Sequence, residues 1–442
     1  MRTRLTTLYA FSALFVLLIL AAVPVYAQGN SLVAFVNTGS QLIVGSADGS
    51  YRWIMTNPGE QLAEPVGFAW SPDASRLFFA VNAGGEASLR VGTIATQSLI
   101  EIGRVPASNL SGGVWRRDGG GVFVGYADTI ALFDANGGGA TPVITGQGAV
   151  RLISPYGDDR PNLQRPSSLS ADGQYLLFQQ ADGRYAIYGL TTGSLFALPG
   201  TNDAAARSSG LWSSAAPLVA TWGYQGSAIL NVTYAPTGAT VTLDSGRSAP
   251  ITPLAWIPGS TALIYRDATG FARVTDLSCL ASSCAGNPLQ TGVELAPATA
   301  TDIQTESGFA FYRDGDGIYA VSLSCLNAGN CLSSASLLGI NAAPGTVLHI
   351  SGGTLAYTSY TADPNNPADR AVNVIDLACL SSGGCQPIPV VSGAVAGLVS
   401  PDGMAVVIEG AAGLNAFNLV TFNPAWLSDY SGGQLLLDAQ WR

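Results

Sequence analysis

A short unit recurs along this chain, and a chain that repeats itself folds as a repeat. The unit is an apolar strand ending in Trp or Ser, a polar turn, then a second apolar strand. Gly67-Phe68-Ala69-Trp70 leads through Ser71-Pro72-Asp73 to Leu77-Phe78-Phe79-Ala80. Gly113-Val114-Trp115 leads through Asp118-Gly119 to Val122-Phe123-Val124, and Ser168-Leu169-Ser170 through Asp172-Gly173 to Tyr175-Leu176-Leu177-Phe178. Leu211-Trp212 and Leu254-Ala255-Trp256 open two more copies. Gly397-Leu398-Val399-Ser400 leads through Pro401-Asp402-Gly403 to Ala405-Val406-Val407-Ile408. Weaker copies lie at Asp302-Ile303-Gln304 and His349-Ile350-Ser351, and Asp438-Ala439-Gln440-Trp441 reads as a last one.

Eight steps from Trp70 to Trp441 average about 46 residues, the length of four short strands and their turns. Third strands read at Tyr185-Ala186-Ile187-Tyr188 and Ala228-Ile229-Leu230-Asn231-Val232. Later copies carry a Cys motif there: Val274 to Leu280, Val321 to Leu326 and Ile375 to Leu380. Asp48-Gly49, Asp182-Gly183 and Asp316-Gly317 read as hairpins between second and third strands, because such turns need positive φ. The expected fold class is all-β, a single β-propeller of four-stranded blades over residues 28–442. A literal count of units gives nine. The expectation is about eight blades, within seven to nine, because nine-bladed rings are uncommon. Leu32–Val36, Gln41–Gly45 and Tyr51–Thr56 supply three strands without a Trp-ended first one, and Leu435–Trp441 supplies a spare. Their pairing would close the ring and remove both open edges. A pair of sandwiches or a solenoid is the alternative.

The first 27 residues stand apart. Arg2 and Arg4 precede an apolar run from Leu8 to Val23, Pro24 breaks it, and Val25-Tyr26-Ala27 offers small residues for a signal peptidase. The expected mature chain begins at Gln28. An uncleaved anchor is the other reading, since the run nearly spans a bilayer. No Cys near the junction indicates a lipid anchor. The six cysteines fall as three close pairs: Cys279 with Cys284, Cys325 with Cys331, and Cys379 with Cys385. An even count behind a leader reads as disulfides, hence an extracytoplasmic setting. Zinc and redox-active sites want Cys-x-x-Cys spacing, which is absent.

All 19 basic residues are Arg, and the formal charge is −10, or −12 without the two leader arginines. A Lys-free acidic chain lacks the basic footprint of a nucleic-acid binder.

The Ser71-Pro72-Asp73 and Ser400-Pro401-Asp402-Gly403 turns, each between two apolar strands, resemble the TolB-type, WD40-like propeller repeat of bacterial exported proteins. So does the third strand ending in Asp-Leu. The resemblance covers most of the mature chain, though other copies read Arg117-Asp118-Gly119 or Ala171-Asp172-Gly173. The repeats begin almost at Gln28, so no separate N-terminal domain like that of TolB is expected. The resemblance implies a propeller and an extracytoplasmic location; it carries over no cellular role, since propellers host many functions.

No set of residues converges as a nucleophile, base or metal site. There is no Gly-x-Ser-x-Gly elbow, and the single histidine, His349, lies inside an expected first strand. Ser46 to Trp53 approaches an Asp-box, with its Gly one position early. The 22 Asp and 7 Glu leave a carboxylate pair open, but most Asp residues stand at turns. Asp314 and Asp316 are the weak candidates for calcium, the one cofactor entertained, although an Asp-Gly hairpin accounts for them. The longest insert between repeats, from about Gly146 to Pro166 with Asp158-Asp159-Arg160, reads as a surface or binding loop. Trp70, Trp115, Trp212, Trp256 and Trp441 recur at one position and read as inter-blade packing rather than a glycan platform. Asn109-Leu110-Ser111 and Asn231-Val232-Thr233 are discounted as glycosylation acceptors. The expectation is a monomeric, exported, non-enzymatic scaffold for a protein, peptide or glycan. Membrane contact would come only through an uncleaved leader, and a carboxylate-based hydrolase or lyase is the alternative.

Overall fold

The computed structural model describes residues 31–37, 39–63, 66–146, 148, 150–152, 167–201, 210–224, 227–244, 252–282, 284, 292–410, 413–428 and 440–441. Residues 1–27, the expected leader, and Asp158-Asp159-Arg160 lie outside the described residues.

The chain is an all-β propeller of nine four-stranded antiparallel blades. Nine falls at the top of the expected range, and the literal count of units gave the right number. Blade 1 joins the two chain ends: Gln440–Trp441 pairs with Leu32–Val36, which pairs with Leu42–Ser46 and then Arg52–Ile54. Blade 2 runs Phe68–Trp70, Arg76–Ala83, Glu86–Thr93 and Ser98–Pro106; blade 3 runs Leu110–Trp115, Gly121–Tyr126, Thr129–Asp134 and Ala140–Ile144. Blade 4 starts at Arg151–Leu152 and blade 5 at Leu211–Trp212, and a single bridge between Thr201 and Tyr224 merges their sheets. Blades 6 to 9 open with Thr252–Trp256, Thr301–Glu306, His349–Ser351 and Ala394–Val399.

Two features make this a closed ring. First strands touch first strands from blade 2 to blade 4 and from blade 5 round to blade 1, where Ala394–Val399 reaches Gln440–Trp441. Nine apolar clusters among the described residues fill the nine interfaces, from Phe68 and Leu42 between blades 1 and 2 to Leu398 and Val33 between blades 9 and 1. Many second and third strands are covered on both faces and so read as continuous apolar runs, as Leu42–Ser46 does. Fourth strands have a wet edge, and Ser98–Pro106 is mostly exposed.

One backbone bond marks the repeat in every blade. The N–H after the third strand donates to the carbonyl just before the second. The pairs run Ala47 to Ser31, Ile94 to Ser75, Ala135 to Gly120, Leu190 to Gln174 and Ala235 to Pro217. They continue Leu277 to Thr261, Leu323 to Gly308, Leu377 to Gly353 and Leu419 to Met404.

Two expectations need correction. Asp182-Gly183 and Asp316-Gly317 do join second and third strands, but Asp48-Gly49 joins the third and fourth strands of blade 1. Blade 1 takes its first strand from the far end of the chain, which shifts the count by one. The long insert is also not a link between repeats. Arg151 and Leu152 already pair with Gln179 and Phe178, and Leu169 pairs with Leu176 on the same strand. The intervening residues therefore interrupt the inner strand of blade 4.

Candidate functional site

The meander gives the ring two faces. First–second and third–fourth turns lie on the lower face, and second–third turns and blade-to-blade links lie on the upper one. On the lower face, Ser71, Ser170 and Ser400 each donate a hydroxyl to the Asp two residues on, at 2.5–2.6 Å. Each also accepts from the backbone N–H five residues on. Ser46 and Asp48 repeat this in the third–fourth turn of blade 1. These carboxylates hold turns together. Hydrogen bonds from Ser71 and Ser75 bring Asp73 down to about 2. Asp402, against the burial that raises it, is held low by Ser400, Met404 N–H and Ser31.

The tryptophans act between blades. The indole N–H of Trp115 donates to Ala69 O, that of Trp256 to Leu211 O and that of Trp441 to Leu398 O, each at 2.9 Å. Each acceptor is the residue preceding the equivalent position in the previous blade. His349 is in the inner strand of blade 8, buried, and bonded to the backbone of Ala396 in blade 9; burial lowers its pKa to about 3. It is a neutral structural group. Asn231 is likewise buried, with Pro199 O and Thr242 as partners.

On the upper face, Asp314 and Asp316 flank Gly315 in a hairpin turn. No group of three or more His, Cys, Asp or Glu side chains gathers among the described residues. Close by stands a carboxylate that sequence reasoning passed over. Asp302 occupies a bulge in the inner strand of blade 7 with φ of 54°. Burial raises its pKa to about 6, opposed by the charge of Arg313. Arg313 itself donates to Ala343 O and Thr346 O of blade 8, as Arg266 of blade 6 donates to Ala300 O of blade 7. Among the described carboxylates with a resolved shift, Asp302 alone moves up. Glycoside-type chemistry asks for a second carboxylate placed with it.

The three cysteine pairs form disulfides. Cys279 bonds Cys284 with a Cα–Cα distance of 4.9 Å, and Cys325 bonds Cys331 at 5.0 Å. Cys379 bonds Cys385, also at 5.0 Å. They staple the third–fourth loops of three consecutive blades, 6, 7 and 8. Each loop presses leucines onto the interface with the preceding blade: Leu277 and Leu280, Leu323 and Leu326, Leu377 and Leu380. In blade 8 both Cys379 and Cys385 are only partly buried and pack at the margin of the cluster between blades 7 and 8.

A cleft of about 300 Å³ opens where the stapled loop of blade 7 meets the outer strand of blade 6, Val293–Ala296. Arg273, Gly292, Val293 and Glu294 form one side, and Asn330 and Leu332 the other. Arg273 is held by Asp267 and Glu294 at 2.5 and 2.7 Å and donates to Gly292 O. Beneath Gly292 lies Tyr265, fully buried, its hydroxyl without a hydrogen-bond partner among the described residues. A Cβ on Gly292 would fall 2.9 Å from that oxygen. Burial raises Tyr265 to about 12, so it is a neutral donor. Sequence reasoning did not single out Arg273 or Asp267, because nothing in the spacing of the repeat marks Arg273 as bordering a cleft.

Fold and site together define a nine-bladed propeller with a stapled three-blade rim. No protein-family model and no curated protein sequence matches the chain. Among solved structures, a crystal structure of the eukaryotic initiation factor is similar over 94% of this chain and 98% of that one, at 12% identity and a TM-score of 0.59. TolB from Acinetobacter baumannii aligns over 56% of this chain and 61% of its own, at 13% identity and a TM-score of 0.34. The dihydro-heme d1 dehydrogenase NirN aligns over 84% and 77%, at 15% and 0.47. At these identities the first likeness speaks for the fold alone.

Proposed function

We propose that this propeller is an exported, non-enzymatic scaffold that holds an extended peptide segment of another protein in the cleft between blades 6 and 7. The observation that carries this reading is the cleft itself, one wall of which is the outer strand Val293–Ala296, whose far edge pairs with no other strand among the described residues. An edge strand offers backbone donors and acceptors to an added strand. The loop opposite is stapled by the bond between Cys325 and Cys331. The disulfides and the leader favour the cell envelope or the outside, as the resemblance does.

A photo-crosslinking residue at Asn330, exposed on the cleft, tests this in envelope and culture-supernatant material. Discrete adducts from Asn330, lost on Leu332→Asp and absent from a control at exposed Asn136 of blade 3, would support it. Equal labelling at both sites would end it, and binding confined to a glycan array would replace the peptide by a sugar. A second reading keeps Asp302, with its raised pKa, as the acid of a hydrolase or lyase. A hydrolytic activity abolished by Asp302→Asn, with folding intact, would favour it.

A further inference from the structure

The third–fourth turn of blade 9 has the wrong chemistry for a turn facing water. Leu419-Val420-Thr421-Phe422 joins Gly413–Asn418 to Asn423–Ser428, where Gly, Asn and Asp would be ordinary. Val420 is 66% exposed and Phe422 58%. Phe422 also has φ of 55°, a left-handed conformation costly for a bulky side chain. Met404 is 50% exposed, and its carbonyl accepts from Leu419 N–H, so it borders the same turn. Trp426, 49% exposed, lies further up the outer strand under Arg52. From Leu377 to Ser428 the only charged residues are Asp402 and Glu409; Asp402 is tied into its turn and Glu409 is buried.

Ser31, the first described residue, stands at this rim. Ser31 Oγ donates to Asp402 Oδ2 at 2.9 Å, two residues from Met404. The apolar run ends at Val23, and the eight residues from there to Ser31 reach at most about 28 Å. A bilayer holding or releasing that run lies within that reach of Ser31, at the lower rim of blades 9 and 1. The chain is acidic and has no Lys, so attraction to anionic headgroups is not the means of contact.

We propose that the lower rim of blade 9 rests on a lipid bilayer, with Val420 and Phe422 entering its interfacial layer and Met404 beside them. The surface is separate from the cleft of blades 6 and 7 and stands or falls without it. Apolar and aromatic insertion into a zwitterionic interface needs no basic residue.

The test uses the full chain with phosphatidylcholine vesicles carrying brominated acyl chains, which quench tryptophan on contact. Phe422→Trp adds a reporter on the rim, Val420→Trp a second in case the first fails to fold, and Leu195→Trp a control on blade 4. Quenching of the added signal at position 422 or 420 should exceed that at 195 by about twofold or more, whether the leader is kept or cleaved. In leader-processed protein, Val420→Asp with Phe422→Asp should cut the fraction floating with vesicles about tenfold. Equal quenching at rim and control would overturn the proposal. So would a vesicle-free dimer that the double variant converts to monomer, since the patch would then belong to a second copy.

Discussion

Blades 6 and 7 lie side by side and hold their neighbours by different means. In blade 6 the inner strand ends in Trp256, fully buried, which donates backwards to Leu211 O of blade 5. In blade 7 the same position is Thr305, and the residue before it, Gln304, donates forwards to Leu348 O of blade 8 at 2.5 Å. The bulk moves too: Phe311 on the second strand of blade 7 packs towards blade 8, where blade 6 has Ile264 packing towards blade 7. Blade 8 follows blade 7, with Ile350 in the Trp position and His349 bonded to blade 9. The ring thus fills a volume at each interface and ties several of them with an inner hydrogen bond, but not from one residue and not in one direction.

The largest expected effect separates the two solutions. Trp256→Ala removes a buried ring and its bond, and should cost about 3–5 kcal/mol in chemical denaturation. Gln304→Ala should cost only about 1–2 kcal/mol, because its Oε1 already has no partner among the described residues. Equal losses would mean that Gln304 carries packing as well as a bond, and the contrast between the blades would collapse.

Asp302 sharpens the contrast through pH. Blade 7 holds it in a left-handed bulge, half-buried, at about 6 against an ordinary 3.8. A folded pKa above the unfolded one means that the fold favours the protonated form. Stability from this group is therefore greatest below about pH 4 and declines as pH rises through 6. Asp302→Asn should gain up to about 3 kcal/mol over the parent at pH 8. The gain should vanish at pH 4, as read from paired denaturation curves. A gain that persists at pH 4 would point to relief of backbone strain instead.

Much of this ring was legible before any coordinates. Trp70 to Trp441 set the period, and the terminal strands announced their pairing, because an unclosed propeller leaves two bare edges. The role of the tryptophans was legible as well, since a ligand platform would not repeat at one position in consecutive units. The pairing of Cys279 with Cys284, Cys325 with Cys331 and Cys379 with Cys385 was legible from closeness alone, because each loop is too short to leave its two thiols apart. Blades 7 and 8 were faint for a physical reason: Gln304 and His349 satisfy the same interface with different chemistry, so the pattern of side chains breaks where the pattern of bonds does not. Asp302 was hidden because a positive φ at an Asp leaves no mark in sequence. The cleft was hidden because it arises between the outer strand of one blade and the loop of the next, a relation that spacing within one repeat does not encode. The turn at Phe422 was readable as an apolar oddity and passed unnoticed within an apolar chain.

The staples differ in depth. Each closes a short loop, so opening any one pair should cost about 2 kcal/mol from chain entropy. In blade 7, Cys331 is fully buried and Cys325 nearly so, whereas Cys279 and Cys284 of blade 6 are less buried. Replacing Cys325 and Cys331 by Ser places hydroxyls in the apolar cluster between blades 6 and 7 and should lower the melting temperature further than the same change at Cys279 and Cys284. Neither variant should unfold the ring, because the Leu277 and Leu323 backbone bonds remain. Equal shifts would show that burial of the sulfurs is immaterial.

The smallest effect isolates the bond from the bulk. Trp212 occupies in blade 5 the position Trp256 has in blade 6, yet its indole nitrogen finds no partner among the described residues. Trp→Phe at either site keeps most of the ring. At 256 it leaves Leu211 O without its donor, and at 212 it removes a nitrogen whose burial had no compensation. Trp256→Phe should therefore cost about 1 kcal/mol more than Trp212→Phe. If Trp212→Phe proves the costlier, the tryptophans serve the ring through shape alone, and the forward bonds of Gln304 and His349 are no substitute for them.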